Sequence, residues 1–318
     1  MSNLQLSDLV LGTMTFGDTV DLDGAAAMLD VALDAGVTHV DTANGYAGGE
    51  TERMLARLLE GRRNRVSLAT KAGMPHPDAG DHSPLSPAGL RASVEGSLAR
   101  LGTDHVELFY LHQPDRATPI GETLSAVADL MGEGKVGALG VSNFAAWQIA
   151  EINHLADDLG MPRPVVAQQL YNLLARRIED EYVEFARVTG LATMVYNPLG
   201  GGLLTGRHSF DDEPADGRFG DSRLAQMYKQ RYWNTAIFEG IEQLTLIAEK
   251  ADVPLTELAL RWLVSSPAAG PLLLGGSKVE HLRANIAAVA KGPLERDVVD
   301  ACDDVGAALR GPMPNYNR

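Results

Sequence analysis

Short apolar runs alternate along this chain with longer segments whose apolar positions recur every three or four residues. The runs Val10–Thr13, Val37–Asp41, Val66–Lys71, Val106–His112, Val136–Val141, Val165–Gln168, Thr193–Tyr196 and Leu272–Gly275 predict strands. The periodic segments predict helices: Ala25–Ala32, Glu52–Leu59, Pro87–Leu101, Glu122–Met131, Trp147–Leu159, Glu179–Val188, Thr235–Lys250, Leu255–Val264 and His281–Ala290. Stop and start residues agree with this reading. Asp23 is the expected cap of the first helix and Gly36 its stop; Ser86 followed by Pro87 opens the third. Leu4–Val10, broken at Ser7-Asp8, predicts a short hairpin ahead of the core. Gly73–Leu85 and Gly200–Asp221 carry no period and predict long loops.

Polar residues stand where the apolar runs end: Asp41, Lys71, His112, Ser142, Gln168 and Tyr196. Their spacing of roughly thirty residues is the size of a βα unit, and apolar strands alternating with amphipathic helices imply a parallel sheet. About eight such units match a (β/α)8 barrel of the TIM type, one domain spanning residues 1–318, with a short N-terminal β-hairpin and long active-site loops. A doubly wound sheet is the competing topology. It lacks support, because no Gly-x-Gly-x-x-Gly follows the first strand. Gly200–Arg207 is rich in glycine without being a P-loop.

Composition narrows the partners. With 318 residues, 45% hydrophobic, the chain can bury a large core. A formal charge of −15 argues against sequence-independent binding to nucleic acid or an anionic membrane, so any anionic cofactor needs a local basic pocket. The single cysteine, Cys302, excludes an internal disulfide and a Cys-based zinc site. No leader-like or membrane-spanning apolar stretch is present, and a cytoplasmic location is expected.

The stretch Val37–Tyr46 concentrates the candidate chemistry. In a parallel barrel it delivers Asp41 and Tyr46 to the active-site mouth. A phenol is a weak proton donor near neutral pH; an ammonium beside it favours the phenolate, and Lys71 is expected to supply that charge. Asp41 would pair with Lys71, and His112 would donate a hydrogen bond to a substrate oxygen. Together they suit a carbonyl that accepts a hydride and a proton. Singly, each has an ordinary reading: a loop-capping Asp, a solvated Lys, a structural His.

The same residues carry a resemblance to the aldo-keto reductases. It rests on Leu11–Gly17, Asp41-Thr-Ala-Asn-Gly-Tyr46 with Gly49 and Glu52, Thr70-Lys71, Ser97–Asp104, Leu108–His112, Gly140–Phe144, Gln168 with Tyr171-Asn172, Tyr196–Leu199 and Gly275–Asn285. The resemblance implies a reductase of aldehydes or ketones using NADPH, with NADH second, on a (β/α)8 barrel. It makes Tyr46 the general acid, Lys71 and Asp41 its support, and His112 the group that orients the carbonyl. Ser142, Asn143 and Gln168 would hold the nicotinamide carboxamide and Tyr196 would stack on its ring. Leu199, Gly201, Leu203 and Arg207 would line the pyrophosphate, and Ser277, Lys278, His281 and Asn285 would approach the adenosine phosphate. His281 and Ala284 depart from the residues many NADPH-using members carry there, so the expected preference rests on Lys278, Arg283 and Arg207. The loops 73–85, 207–221 and 227–233 and the C-terminal 311–316 are expected walls for a small, polar, sugar-like carbonyl substrate, with Tyr232 and Trp233 as stacking residues or core anchors. Two other functions stay open: a cofactor-binding regulatory or scaffold protein with slow turnover, and a lyase or isomerase using Lys71 as a Schiff-base nucleophile.

Overall fold

The computed structural model describes residues 6–212 and 214–311. Eight parallel strands close into a barrel in sequence order: β1 Leu9–Gly12, β2 His39–Asp41, β3 Ser67–Ala72, β4 Val106–Leu111, β5 Val136–Ser142, β6 Val166–Leu170, β7 Ala192–Tyr196 and β8 Leu272–Leu274. β1 pairs with both β2 and β8, which closes the sheet and removes its edges. The helices are α1 Leu22–Asp34, α2 Glu50–Leu58, α3 Pro87–Leu101, α4 Ile120–Gly132, α5 Ala146–Asp158, α6 Tyr182–Thr189, α7 Ala225–Tyr232, α8 Thr235–Lys250, α9 Leu255–Ser265, α10 Val279–Ala290 and α11 Arg296–Arg310. The (β/α)8 expectation holds, and the doubly wound alternative falls.

The core has two shells. The larger lies between strands and helices, where Leu11, Val40, Leu68, Phe109, Val141 and Val195 meet apolar helix faces. The smaller fills the barrel with Val10, Ala69, Leu108, Tyr110, Val166 and Met194. Side chains on a strand alternate between faces, so the residue two places after an interior one also points inward, one layer nearer the mouth. Ala69, Tyr110, Val166 and Met194 are thus followed by Lys71, His112, Gln168 and Tyr196. The strand period itself sets polar side chains on top of an apolar plug.

Several boundaries differ from expectation. The cap of α1 is Asp21, whose carboxylate accepts from the Gly24 N–H at 2.9 Å; Asp23 lies inside the first turn. Ser86 caps α3 as expected. The segments after β7 hold α7, and the chain adds α11 beyond the last predicted helix. α11 packs on α8 and buries Cys302, Val305 and Gly306 under a strongly charged outer face. Of the expected N-terminal hairpin, positions 4 and 5 lie outside the described residues, Leu6 to Asp8 form no strand, and Leu9 and Val10 belong to β1.

Candidate active site

β2, β3 and β4 end at one rim, and residues at or just past their C-terminal ends meet there. Lys71 Nζ donates to the Asp41 carboxylate, to the Thr42 carbonyl at 2.9 Å and to the Tyr46 hydroxyl at 3.2 Å. Lys71 is 0% exposed and Asp41 1%. Gln168 Nε2 donates to the other Asp41 oxygen at 3.0 Å. The Tyr46 ring meets His112 edge to face, with centroids 6.0 Å apart. The four residues singled out from the sequence therefore form one cluster.

Burial works against the Lys71 charge, but Asp41 and Tyr46 outweigh it and hold the ammonium above the ordinary lysine value. For Tyr46 the downward pull of Lys71 expected from the sequence is present but outweighed. Burial pushes the phenol above its ordinary value, and Lys71 pulls it only part of the way back. Loss of water around the phenolate costs more than one ammonium returns. Tyr46 is thus a protonated donor whose conjugate base has a fixed counter-charge within hydrogen-bond reach.

His112 is driven down to about 3, first by burial and then by repulsion from Lys71. The imidazole is neutral at physiological pH and can donate only in the tautomer that carries the proton. The unfolded imidazole takes up a proton below about 6.5, while the folded one does so only near 3. Acid therefore favours the unfolded chain, and this contribution to stability is lost as pH falls through that window. Between about pH 7 and about pH 5.5 the wild type is expected to lose about 1 kcal/mol more stability than His112→Gln. Urea unfolding of both proteins at the two pH values measures it, and equal losses would remove the argument.

On the opposite arc of the rim, Asn143 sits in the left-handed region at φ 63°, a conformation rare outside glycine. Its amide nitrogen donates to the His112 carbonyl at 2.9 Å and to Ser142 Oγ at 3.1 Å, and its oxygen accepts from Tyr196 OH at 2.7 Å. Ser142 Oγ donates to the Gln168 carbonyl at 2.9 Å. Ser142, Asn143, Gln168 and Tyr196 form a continuous polar arc. After it comes a 3-10 turn, Gly200–Thr205, in which Gly200, Gly201 and Gly202 all have positive φ. Leu199 is half-buried against the core; Leu203 is buried, so it offers the site only its backbone. The exposed Arg207 lies just outside the turn, its guanidinium 3.8 Å from where a Gly202 Cβ would stand. Ser277 and Lys278 line a cavity of about 490 Å3 that Gly17, Asp18, Asp21 and Met28 also face. That cavity is at the rim between the β1–α1 loop and the start of α10. Asn285 is buried nearby on α10, whereas His281 is exposed.

A support for the Tyr46 turn went unread in the sequence. Glu52 is 0% exposed on α2, accepts from Thr70 Oγ1 at 2.6 Å and pairs with Arg100 at 2.7 Å. Arg100 also grips Asp78 through its two terminal guanidinium nitrogens. Its side chain crosses Gly49, where a Cβ would come within 2.8 Å of it. The signal was a glutamate at the core-facing position of α2, which has to be paired. Tyr232 is buried in the core, which makes it an anchor and not a stacking group, and the half-buried Trp233 packs edge-on against Phe238 at 4.9 Å. The expected wall at 311–316 lies almost wholly outside the described residues.

The sequence profile of the Aldo/keto reductase family matches residues 8–307. This chain belongs to the aldo/keto reductase family. Among its relatives, human Aflatoxin B1 aldehyde reductase member 2 is 39% identical over 97% of this chain and 89% of its own length. Human Aldo-keto reductase family 7 member A3 is 40% identical over 97% and 96%. A probable voltage-gated potassium channel subunit beta of Oryza sativa subsp. japonica is 32% identical over 96% and 94%. Membership in the aldo/keto reductases makes the chain an oxidoreductase of small carbonyl compounds working with a nicotinamide coenzyme. Among the described residues, no helix is long and apolar enough to cross a membrane.

Proposed function

We propose that this aldo/keto reductase reduces an aldehyde or ketone to the alcohol with NADPH, Tyr46 giving the proton. The observation that carries the reading is the single Lys71 ammonium bonded at once to the Asp41 carboxylate and, at 3.2 Å, to the Tyr46 hydroxyl.

The residues at the rim suit the coenzyme. Asn143 and Gln168 are amides of the right kind for a carboxamide, and Tyr196 offers a ring face beside them. The bare sides of Gly200 and Gly201 face Leu174 and Tyr228, but Gly202 meets only the Arg207 guanidinium, at 3.8 Å, and there a pyrophosphate can lie close to the backbone. Leu199, Gly201, Leu203 and Arg207 would hold that part, and Ser277, Lys278, His281 and Asn285 the adenosine end. When bound, the reduced nicotinamide supplies the hydride. The chain does the rest. Neutral His112 donates to the substrate oxygen and aims the carbonyl carbon at the ring. Tyr46 transfers its proton to that oxygen as negative charge develops, and Lys71 neutralises the phenolate that forms. Asp41, held by Gln168, keeps the lysine in place. The intact cluster favours turnover over a purely regulatory role. Lys71 is engaged on three oxygens and its charge is held up by Asp41, which disfavours the free amine a Schiff base requires.

A screen of small polar aldehydes and ketones, following loss of the reduced-nicotinamide absorbance, tests the reaction; no turnover with any carbonyl would overturn it. For the coenzyme, the cations Arg207, Lys278 and Arg283 favour a 2′-phosphate, against the nearby carboxylates of Asp18 and Asp21. The dissociation constant for NADPH is expected to be about tenfold below that for NADH, the worth of one charge-assisted contact. Equal affinities, read by fluorescence titration, would defeat the preference.

A further inference from the structure

Asn197 follows the Tyr196 ring directly and sits in the left-handed region at φ 59°. Everything around it is committed. Its side-chain oxygen accepts from the Gly201 N–H at 2.6 Å, and its backbone carbonyl accepts from Gly200 N–H at 3.1 Å and from Asn172 Nδ2 at 2.8 Å. Its amide nitrogen donates to the Tyr232 hydroxyl at 2.9 Å. The same hydroxyl accepts from Asn172 Nδ2 at 3.1 Å. Tyr232 is 1% exposed and comes from α7, an element outside the βα repeat. One turn earlier on α7, the Tyr228 ring lies under Gly201, where a Cβ would come within 2.7 Å of it.

The amide of Asn197 can point two ways. With its oxygen toward Gly201 it closes the glycine turn; reversed, it sets an NH2 against the Gly201 N–H, donor against donor. The Gly201 N–H, a donor only, selects the first orientation, and the Tyr232 oxygen anchors it by giving the amide nitrogen an acceptor on the far side. We propose that Tyr232 is a positioning residue for the nicotinamide coenzyme. It orients Asn197, and through Asn197 it presents both the Tyr196 ring and the Gly200–Gly202 backbone in binding geometry. The inference rests on the coenzyme site argued above. It adds that α7, a helix of the segment after β7, is the brace of that site.

The experiment measures NADPH binding by fluorescence titration in the full chain, with melting temperature and kcat at saturating NADPH alongside. Tyr232→Phe removes the acceptor and keeps the ring, and the dissociation constant is expected to rise about tenfold while kcat falls less than about threefold. Asn197→Gly keeps the left-handed turn and loses the amide; it should weaken binding by a similar factor even if the first variant folds poorly. The double variant Tyr232→Phe with Asn197→Gly should be no worse than Asn197→Gly, since both act through one amide. Unchanged binding in Tyr232→Phe, or additive losses in the double variant, would overturn the proposal while leaving the coenzyme site intact. A wild type that binds neither reduced dinucleotide would instead overturn the site reading itself.

Discussion

Replacing Tyr46 by phenylalanine is expected to lower kcat for carbonyl reduction by about a thousandfold, within the range general acid catalysis supplies, while the NADPH dissociation constant changes less than about twofold. The substitution removes one oxygen. Its ring remains against His112, and Lys71 keeps its bonds to Asp41 and the Thr42 carbonyl. Nothing in the polar arc of Ser142, Asn143, Gln168 and Tyr196 touches the lost hydroxyl. The consequence is a protein that folds, binds and fails at the proton step. Single-turnover absorbance and fluorescence titration separate the two effects, and full turnover in Tyr46→Phe would remove the phenol from the mechanism.

Lys71→Met should damage both fold and chemistry. It leaves the Asp41 carboxylate, 1% exposed, with the Gln168 amide but no counter-charge. Breaking a buried pair in this way destabilises by about 3–5 kcal/mol. Reduction should fall at least about a hundredfold, since the phenolate left by Tyr46 would form beside no cation. Adding Asp41→Asn to Lys71→Met removes the stranded charge and keeps an acceptor for Gln168, so most of the stability should return. Activity should not. Urea unfolding of the two variants and the wild type decides this; a single variant as stable as the wild type would mean that the ion pair is not held as described.

The barrel was legible in the chain because each strand buries both faces, leaving apolar runs too short for helices and spaced by whole βα units. Asp41, Lys71 and His112 could be grouped for the same reason: parallel strands in order bring their C-terminal ends to one rim. The (β/α)8 expectation rested on this local pattern together with the family resemblance. The α7 and α11 helices were harder. The first is short and polar, and the second carries a charged face over a narrow apolar one, so neither raised an apolar period above its surroundings.

Local order along the chain was enough to say that a carboxylate, a phenol, an ammonium and an imidazole share a barrel mouth, since period and spacing are properties of neighbours. Folding alone decided how those groups behave. The net upward displacement of the Tyr46 phenol, the neutral His112, the pairing of Glu52 with Arg100 beneath the Tyr46 turn, and the Tyr232 hydroxyl that orients Asn197 all depend on groups far apart in the chain. Their energies come from the loss of water and from partners within hydrogen-bond reach. Both are set when distant segments pack, and neither is written into any single stretch of residues.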